Sequence, residues 1–389
     1  KTEDLDKLIT ILKENSIKNI MLPVSAPFHC NLMSKATDIM SVELNKLNFL
    51  IFCSYKKKEY LSGFIPNKNI IASVYFKKNS VFLLLRKIIK LIFNKDLILL
   101  HFLKKNKVNI VSHYIPTPGI ASLCWIPDLQ HLHLKSFFSK HELKRRNLLF
   151  NNYIKKAEGV LVSSKDTYSN LKKNYKINKS KTYILNFVPK IDFTVIKKFK
   201  YLKNKYNLKP NYIYVPNQFW KHKNHNILIK SAILLKEKNH RVKFVVTGNP
   251  ASGFDNSVYS DFVRDIAVNQ VNEYFDLPGF VPYVDVINLI FHSKILLNPS
   301  LFEGWSTTVE EGKVFNKKMI LSNLRVHKEQ CSNKALYFKH NNPMELAIKI
   351  IQLLKIKKKY QPINKIKKDY AKLRIKFAKK YFKIIESVL

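Results

Sequence analysis

From position 49 onward, short runs rich in β-branched and aromatic residues alternate with longer amphipathic segments, and no other feature restricts the fold as strongly. Runs at 49–55, 70–75, 108–114, 159–163 and 182–187 read as strands. A second series stands at 212–215, 242–247, 294–297 and 318–322. Between them, the segments 141–156, 226–238 and 344–358 carry apolar residues at helical spacing. Alternation of this kind predicts an α/β architecture with parallel sheets. A basic, turn-rich stretch at 189–210 separates the two series and reads as a linker between domains. With 389 residues, 46% of them hydrophobic, the chain can bury two separate cores.

The formal net charge is +42, mostly from lysine. A nucleic-acid surface, an anionic membrane surface or a composition biased toward lysine would each produce it. The charge is spread along the whole length, and nothing resembles an arginine-rich tract, a zinc finger or an RNA-binding aromatic motif. Solvated lysine faces are therefore the expectation, with no specific nucleic-acid partner. The cysteines Cys30, Cys53, Cys124 and Cys331 have no paired spacing. A disulfide framework or zinc site is not expected, and a reducing, cytoplasmic setting is. No uncharged apolar run reaches the ~18 residues of a membrane span. The nearest, 81–103, is interrupted by Arg86, Lys87, Lys90, Lys95 and Asp96. It reads either as an amphipathic interfacial helix or, at least as well, as a core helix whose lysines reach out to solvent. There is no signal-peptide pattern, and the start at Lys1 leaves room for a missing opening piece.

Three strands of the second series run into polar turns: VPNQFWKHKNHN at 215–226, TGNP at 247–250, with Gly248, and NPSLFEGW at 298–305. In open α/β sheets ligands gather at such carboxyl ends. Turns carrying Lys, Asn, Gly and Glu suit a phosphorylated, hydroxyl-rich ligand. The third turn holds two acids, Glu303 and Glu311, on either side of a small polar stretch. Gly304 permits a tight path or a positive φ. Ser306, Thr307 and Thr308 are plausible N-caps for a helix over about 308–315. A helix start offers free N–H groups and partial positive charge, which suits a diphosphate. The two carboxylates can then accept hydrogen bonds from the sugar hydroxyls of the same ligand.

PSLFEGWSTTVEE, followed by KKMILSNLRVHKEQ, resembles the E-x7-E region of the retaining, nucleotide-sugar-dependent glycosyltransferases of group 1, or family 4. The resemblance implies the GT-B fold, two Rossmann-like domains with a cleft between them. It also implies that Glu303 contacts the transferred sugar and Glu311 the ribose, while amides from Trp305 to Thr308 face the diphosphate. YVPNQFWKHKNHNILIKSA is similar to the family's first donor-domain turn, which places Lys223 at the diphosphate with Lys221 as helper. Gln218 stands where the family often has Arg, and a neutral amide holds phosphate more weakly than a guanidinium. LPGFVPYVDVINLIFHSKILLNPS resembles the segment that cups the base, with the backbone around Val281 to Tyr283 as its contact. The similarity runs from about 125 to 330.

In the first domain WIPDLQHLHLKSFFSKHELKRRN is also like the family, with Asp128 matching and Pro127 replacing a common His. His131 or His133 is the candidate to take that place near the sugar. Ser163 and Ser164 read as helix caps. A different likeness marks the start. Residues 20–44 resemble the end of a malonyl-CoA:acyl-carrier-protein transacylase, with His29 at its catalytic histidine. No nucleophile elbow precedes it, so that chemistry is not expected. The expected division is a transacylase-like fragment at 1–46 and an acceptor-side domain at 47–195, its start truncated or diverged with no Gly-rich loop. A nucleotide-sugar domain at 205–360 and a basic helix at 361–389 packing back across the cleft complete it.

The resemblance implies transfer of a hexose from a nucleotide-diphosphate sugar to an acceptor hydroxyl with retention. No metal or other cofactor is expected, and the acceptor would be a saccharide or lipid-linked glycan of a cell-surface polysaccharide or lipopolysaccharide. The alternatives are a catalytically impaired nucleotide-binding protein left by gene fusion, a nucleic-acid binder, and a hydrolase or epimerase on the same scaffold. The last usually needs further acids in the cleft, and none is found in the sequence.

Overall fold

The computed structural model describes residues 81–93, 96–250, 257–356 and 361–389, with the backbone of three strands at Asn19–Met21, Asn48–Cys53 and Ile70–Ala72. Those strands are β1, β2 and β3. Ile110–Ser112 (β4), Ala121–Ile126 (β5), Gly159–Val162 (β6) and Thr182–Ile184 (β7) join them in a seven-stranded sheet ordered β3-β2-β1-β4-β5-β6-β7. A second sheet has Ile213–Pro216 (β8), Phe244–Thr247 (β9), Phe275–Gly279 (β10), Ile295–Asn298 (β11), Met319–Ser322 (β12) and Ala335–Phe338 (β13). Its order is β10-β9-β8-β11-β12-β13. Every ladder between these strands is parallel. Both sheets therefore have the doubly wound order, reversing direction between β1 and β4 in one and between β8 and β11 in the other.

Strands buried on both faces read as unbroken apolar runs. ILLN, MILS and FVVT of β11, β12 and β9 are buried throughout. The strands that escape the sequence pattern have local reasons. At one edge β10 carries Asp276, paired with Lys243, and Pro278, which suits an edge strand. At the other edge β13 is only half-buried. In β5 the run begins Ala-Ser, weak strand formers. Within the stretch set apart at 1–46, β1 pairs with both β2 and β4. His29 and the rest of the transacylase-like stretch lie outside the described residues.

Helices Val81–Phe93 (α1), Leu97–Lys105 (α2), Gln130–His133 (α3), Lys140–Lys156 (α4) and Lys165–Asn174 (α5) belong to the first domain. Phe199–Tyr206 (α6) follows the crossover. Asn226–Glu237 (α7), Ser257–Val268 (α8), Tyr283–His292 (α9), Thr307–Val314 (α10), Arg325–Cys331 (α11) and Pro343–Leu354 (α12) belong to the second, and Ile363–Val388 (α13) closes the chain. Leu228, Phe262 and Leu346 of α7, α8 and α12 share one core with Val246 and Leu297. On the opposite face Leu202, Ile287 and Val309 of α6, α9 and α10 pack with Tyr214 and Leu296.

Helix α13 belongs to both domains. Ile366 and Tyr370 lie in the core of the second, while Ala378, Tyr381, Phe382 and Ile385 pack on Ile110, Leu123 and Leu161 of the first sheet. Each such apolar side chain contributes roughly 1.5–3 kcal/mol when buried. At the crossover the Tyr370 hydroxyl donates to the Pro189 carbonyl at 2.8 Å and accepts the Ile191 N–H at 2.9 Å. Tyr370→Phe leaves both backbone groups without this partner in a buried place. It is expected to cost about 1–3 kcal/mol in urea denaturation; an unchanged midpoint would show that the crossover is not held there.

Candidate functional site

The topology marks the place before any side chain does. Ligand crevices of doubly wound sheets open where the strand order reverses, here between the turns after β8 and β11. The two turns are tied together. Leu301 N–H donates to the His222 carbonyl at 2.7 Å, and Asn224 Nδ2 to the Pro299 carbonyl at 3.1 Å. Asn224 has φ +58°, a left-handed turn position that Asn tolerates. The bend puts Lys223 beside the second turn.

Lys223 Nζ lies 2.6 Å from Glu303 Oε1. The same oxygen accepts from Ser300 Oγ at 2.7 Å and Asn298 Nδ2 at 3.3 Å. Ser300 is fixed in turn by Ser322, whose hydroxyl donates to its carbonyl. Burial works to raise the Glu303 pKa, but the charge of Lys223 and the bonds from Lys223 and Ser300 win, and the carboxyl falls to about 2. Three donors converge on Oε1, and Oε2 has no hydrogen bond among the described residues.

Ser306 caps α10, its hydroxyl facing the Val309 N–H at 3.4 Å. Thr307 and Thr308 are the first two residues of the helix, so their amides have no partner inside it. Gln330 on α11 braces the cap with both amide atoms on the Ser306 backbone, and its Nε2 also reaches Glu310. Glu311 follows one turn in, buried. Burial lifts its pKa to about 7 against the bond from Tyr283. Tyr283 Oη stands 2.7 Å from Glu311 Oε1 and 3.1 Å from the Lys190 carbonyl of the crossover. A phenol has one proton for two acceptors. A protonated Glu311 satisfies both contacts, donating to the phenol oxygen while the phenol donates to Lys190.

The first domain meets this turn closely. A Cβ on Gly304 would run into the Pro127 carbonyl oxygen and stand 2.7 Å from Asp128 Cβ. Gly304 is thus required by a close approach across the cleft and not by a positive φ, which it does not have. Asp128 accepts the N–H of Gln130, the first residue of α3, at 2.9 Å. His133 on that helix lies against Phe302, ring centroids 5.2 Å apart. Glu329 of α11 accepts the Lys165 and Asp166 N–H groups at the start of α5. His131 points the other way. It is fully buried against Phe150, with Nε2 at 3.1 Å from Asn147 Oδ1 and 3.3 Å from Tyr175 Oη. The expectation that it stands near a sugar fails for a packing reason: its ring completes the first domain's core.

Other expected residues serve the frame. Gln218 Oε1 accepts the Asn249 N–H at 2.8 Å. A Cβ on Gly248 would come within 2.6 Å of the Asn217 carbonyl, so glycine lets the end of β9 press on the turn after β8. Val281 is buried just before α9, and Lys221 is exposed. Ser164 caps α5 through Thr167, whereas Ser163 accepts from Trp125 Nε1. Among residues that sequence reading passes over, Asn298, Ser300 and Gln330 hold the acids and the cap. His113, with φ +59° at the carboxyl end of β4, stands at the reversal of the first sheet. Only its place after an apolar run could have marked it. Among the described residues no group of His, Cys, Asp and Glu gathers to hold a metal ion.

Residues 197–370 match the family model described as glycosyl transferases group 1. No curated protein matches the chain by sequence. Solved structures share its fold at low identity. A glycosyltransferase from Rickettsia africae is 17% identical with a TM-score of 0.61, covering 93% of both chains. HepE from Anabaena, bound to UDP and glucose, is 12% identical with a TM-score of 0.62, covering 95% of this chain and 97% of that one. Sucrose-phosphate synthase from Thermosynechococcus elongatus is 10% identical with a TM-score of 0.63, covering 93% and 94%. The two sheets with their helices are the GT-B fold.

Two outcomes follow from this geometry. Gly304→Ala is expected to hold the domains apart and enlarge the radius of gyration in small-angle scattering; an unchanged profile would remove the close approach. Glu311→Gln tests the raised pKa. Because the folded value lies above the ordinary carboxylate range, the stability that Glu311 contributes is full at acid pH and is lost as pH rises through about 7. Glu311→Gln should therefore gain ~2–4 °C in Tm over the parent at pH 8, the gain shrinking toward pH 4.

Proposed function

We propose that this protein is a glycosyltransferase that moves a hexose from a nucleotide-diphosphate sugar to an acceptor hydroxyl, retaining the anomeric configuration. The observation that carries the reading is the bracket of Glu303 and Glu311 around the open start of α10, with Lys223 on the first acid. The match to the group 1 family spans all three residues, and HepE of the same fold is bound to UDP and glucose.

On this reading the diphosphate lies between Lys223 and the amides of Thr307 and Thr308, fixed dipoles that need no rearrangement as negative charge grows on the leaving group. Glu303 keeps Oε2 free for the sugar hydroxyls while three donors hold Oε1 still, and its low pKa keeps it anionic beside a ring that gains positive charge. Ribose hydroxyls displace Tyr283 from Glu311. As the anomeric C–O bond to the diphosphate breaks, the acceptor oxygen bonds to the same carbon from the same face. The departing phosphate oxygen is then the nearest base for the acceptor's proton. Asp128, set against Gly304, lines the acceptor side, and His131 has no part. Lys223 and the helix start supply the positive charge this scheme needs without a metal. The acceptor class is a saccharide or lipid-linked glycan of a cell-surface polysaccharide or lipopolysaccharide, and the site of action is the cytoplasmic side of a membrane.

Isothermal titration with UDP and GDP tests the division of labour. Glu311→Ala should weaken nucleotide binding about tenfold, while Glu303→Gln keeps binding and lowers transfer ~10²–10³-fold. Nucleotide affinity should rise as pH passes about 7, where Glu311 ionises, and Glu311→Gln should flatten that profile. Equal affinities for the parent and Glu311→Ala would sink the assignment. Binding without turnover would leave only the nucleotide-binding half of it.

A further inference from the structure

Helix α1 is attached to the protein the wrong way round for a soluble helix. Its polar anchor faces inward: Arg86 forms a forked pair with Asp96, Nε at 3.0 Å from Oδ1 and an outer nitrogen at 2.7 Å from Oδ2. Both side chains are largely buried, and the same arginine reaches the Tyr114 hydroxyl. Asp96 also caps α2 through the Leu99 N–H. The apolar side faces outward. Leu91 is 84% exposed, Val81 79% and Ile92 68%, and Leu84, Leu85 and Ile88 are exposed too. At about 100° per residue these six side chains form one continuous stripe, with Lys87 on its border and Arg86 and Lys90 on the far side.

An ordinary surface helix gains by turning its leucines in and its cations out. Here the ion pair fixes the opposite orientation, so the exposed stripe is held by a specific contact. Its surroundings say what it meets. The helix contains no acid and carries Lys87 and Lys90, while α2 adds exposed Lys104 and Lys105. A second copy of this chain would bring another +42 charge to the same face and be repelled. A surface that is apolar within and anionic at its border complements the stripe and its lysines together, and a bilayer with acidic headgroups has that chemistry.

We propose that α1 docks the first domain on an anionic lipid bilayer, lying in the interface with the Leu84–Ile88–Leu91 stripe among the acyl chains and Lys87 and Lys90 at the headgroups. The inference is independent of the transfer reaction proposed above, since it concerns α1 and lipid alone. No helix among the described residues is long and apolar enough to cross a membrane, so the contact is one of lying on it.

Co-sedimentation of the full chain with vesicles tests it, using phosphatidylcholine alone against equal parts phosphatidylcholine and phosphatidylglycerol. The chain should partition to the anionic vesicles, and Leu84→Glu/Leu91→Glu should lower that partition about tenfold with thermal unfolding unchanged. Lys87→Gln/Lys90→Gln should weaken it less and make it less sensitive to salt. Binding of the double glutamate variant at the parent's level would overturn the proposal, because general positive charge would then suffice. So would a parent that stays in the supernatant, or a concentration-dependent dimer in analytical ultracentrifugation that the glutamate variant abolishes. Nucleotide titration of the same variants keeps the two readings separate: failure to bind UDP counts against the transferase, and failure to bind vesicles against α1.

Discussion

The contact between Lys223 and Glu303 joins the turns after β8 and β11 at the one place where the second sheet reverses direction. Taking a carboxylate out of water costs several kcal/mol unless a partner and further hydrogen bonds compensate it. Here the lysine, Ser300 and Asn298 all converge on one oxygen. The arrangement holds an acid in its charged form in a protein whose charge is otherwise overwhelmingly positive. It also sets the spacing of everything downstream, because Glu303 precedes Gly304, the cap at Ser306 and the start of α10. A cation that only balanced charge could lie anywhere nearby; this one is fixed by the left-handed turn at Asn224 and by the His222 carbonyl that receives Leu301.

The second domain is more legible in the sequence than the first, and the reasons are physical. Its central strands are buried on both sides, so they spell unbroken apolar runs, and its turns carry their chemistry within a few residues of each other. The helix start between Glu303 and Glu311 is read from cap residues and spacing alone. What depends on contacts distant in sequence is not legible. Gly304 is glycine because Pro127 and Asp128, far away in the chain, press on it. His131 and His133 differ by two positions on a four-residue helix, and only packing decides that one enters a core and the other meets Phe302. The Tyr283 side chain does more than its backbone promised, since it links Glu311 to the crossover at Lys190.

That link gives the two domains a shared structural vocabulary. Three successive crossover residues are gripped by two tyrosines: Pro189 and Ile191 by Tyr370 of α13, and Lys190 by Tyr283 at the start of α9. A group that takes Glu311 away from Tyr283 alters one of those grips and leaves the other intact. On the function proposed above, occupancy of the site would therefore be felt where the chain passes between domains, through the Tyr283 hydroxyl.

The same final helix shapes how the protein comes into being. One face of the first sheet is closed by Tyr381, Phe382 and Ile385, side chains that are made only after the whole of the second sheet. Domains usually fold in order as they leave the ribosome. Here the amino-terminal sheet must wait, one side uncovered, until α13 has been made. The carboxyl-terminal domain, whose cores draw on α13 only as far as Tyr370, can settle first. A nascent chain stalled before position 378 would thus carry a finished second half and an unfinished first, the reverse of the order in which they were made.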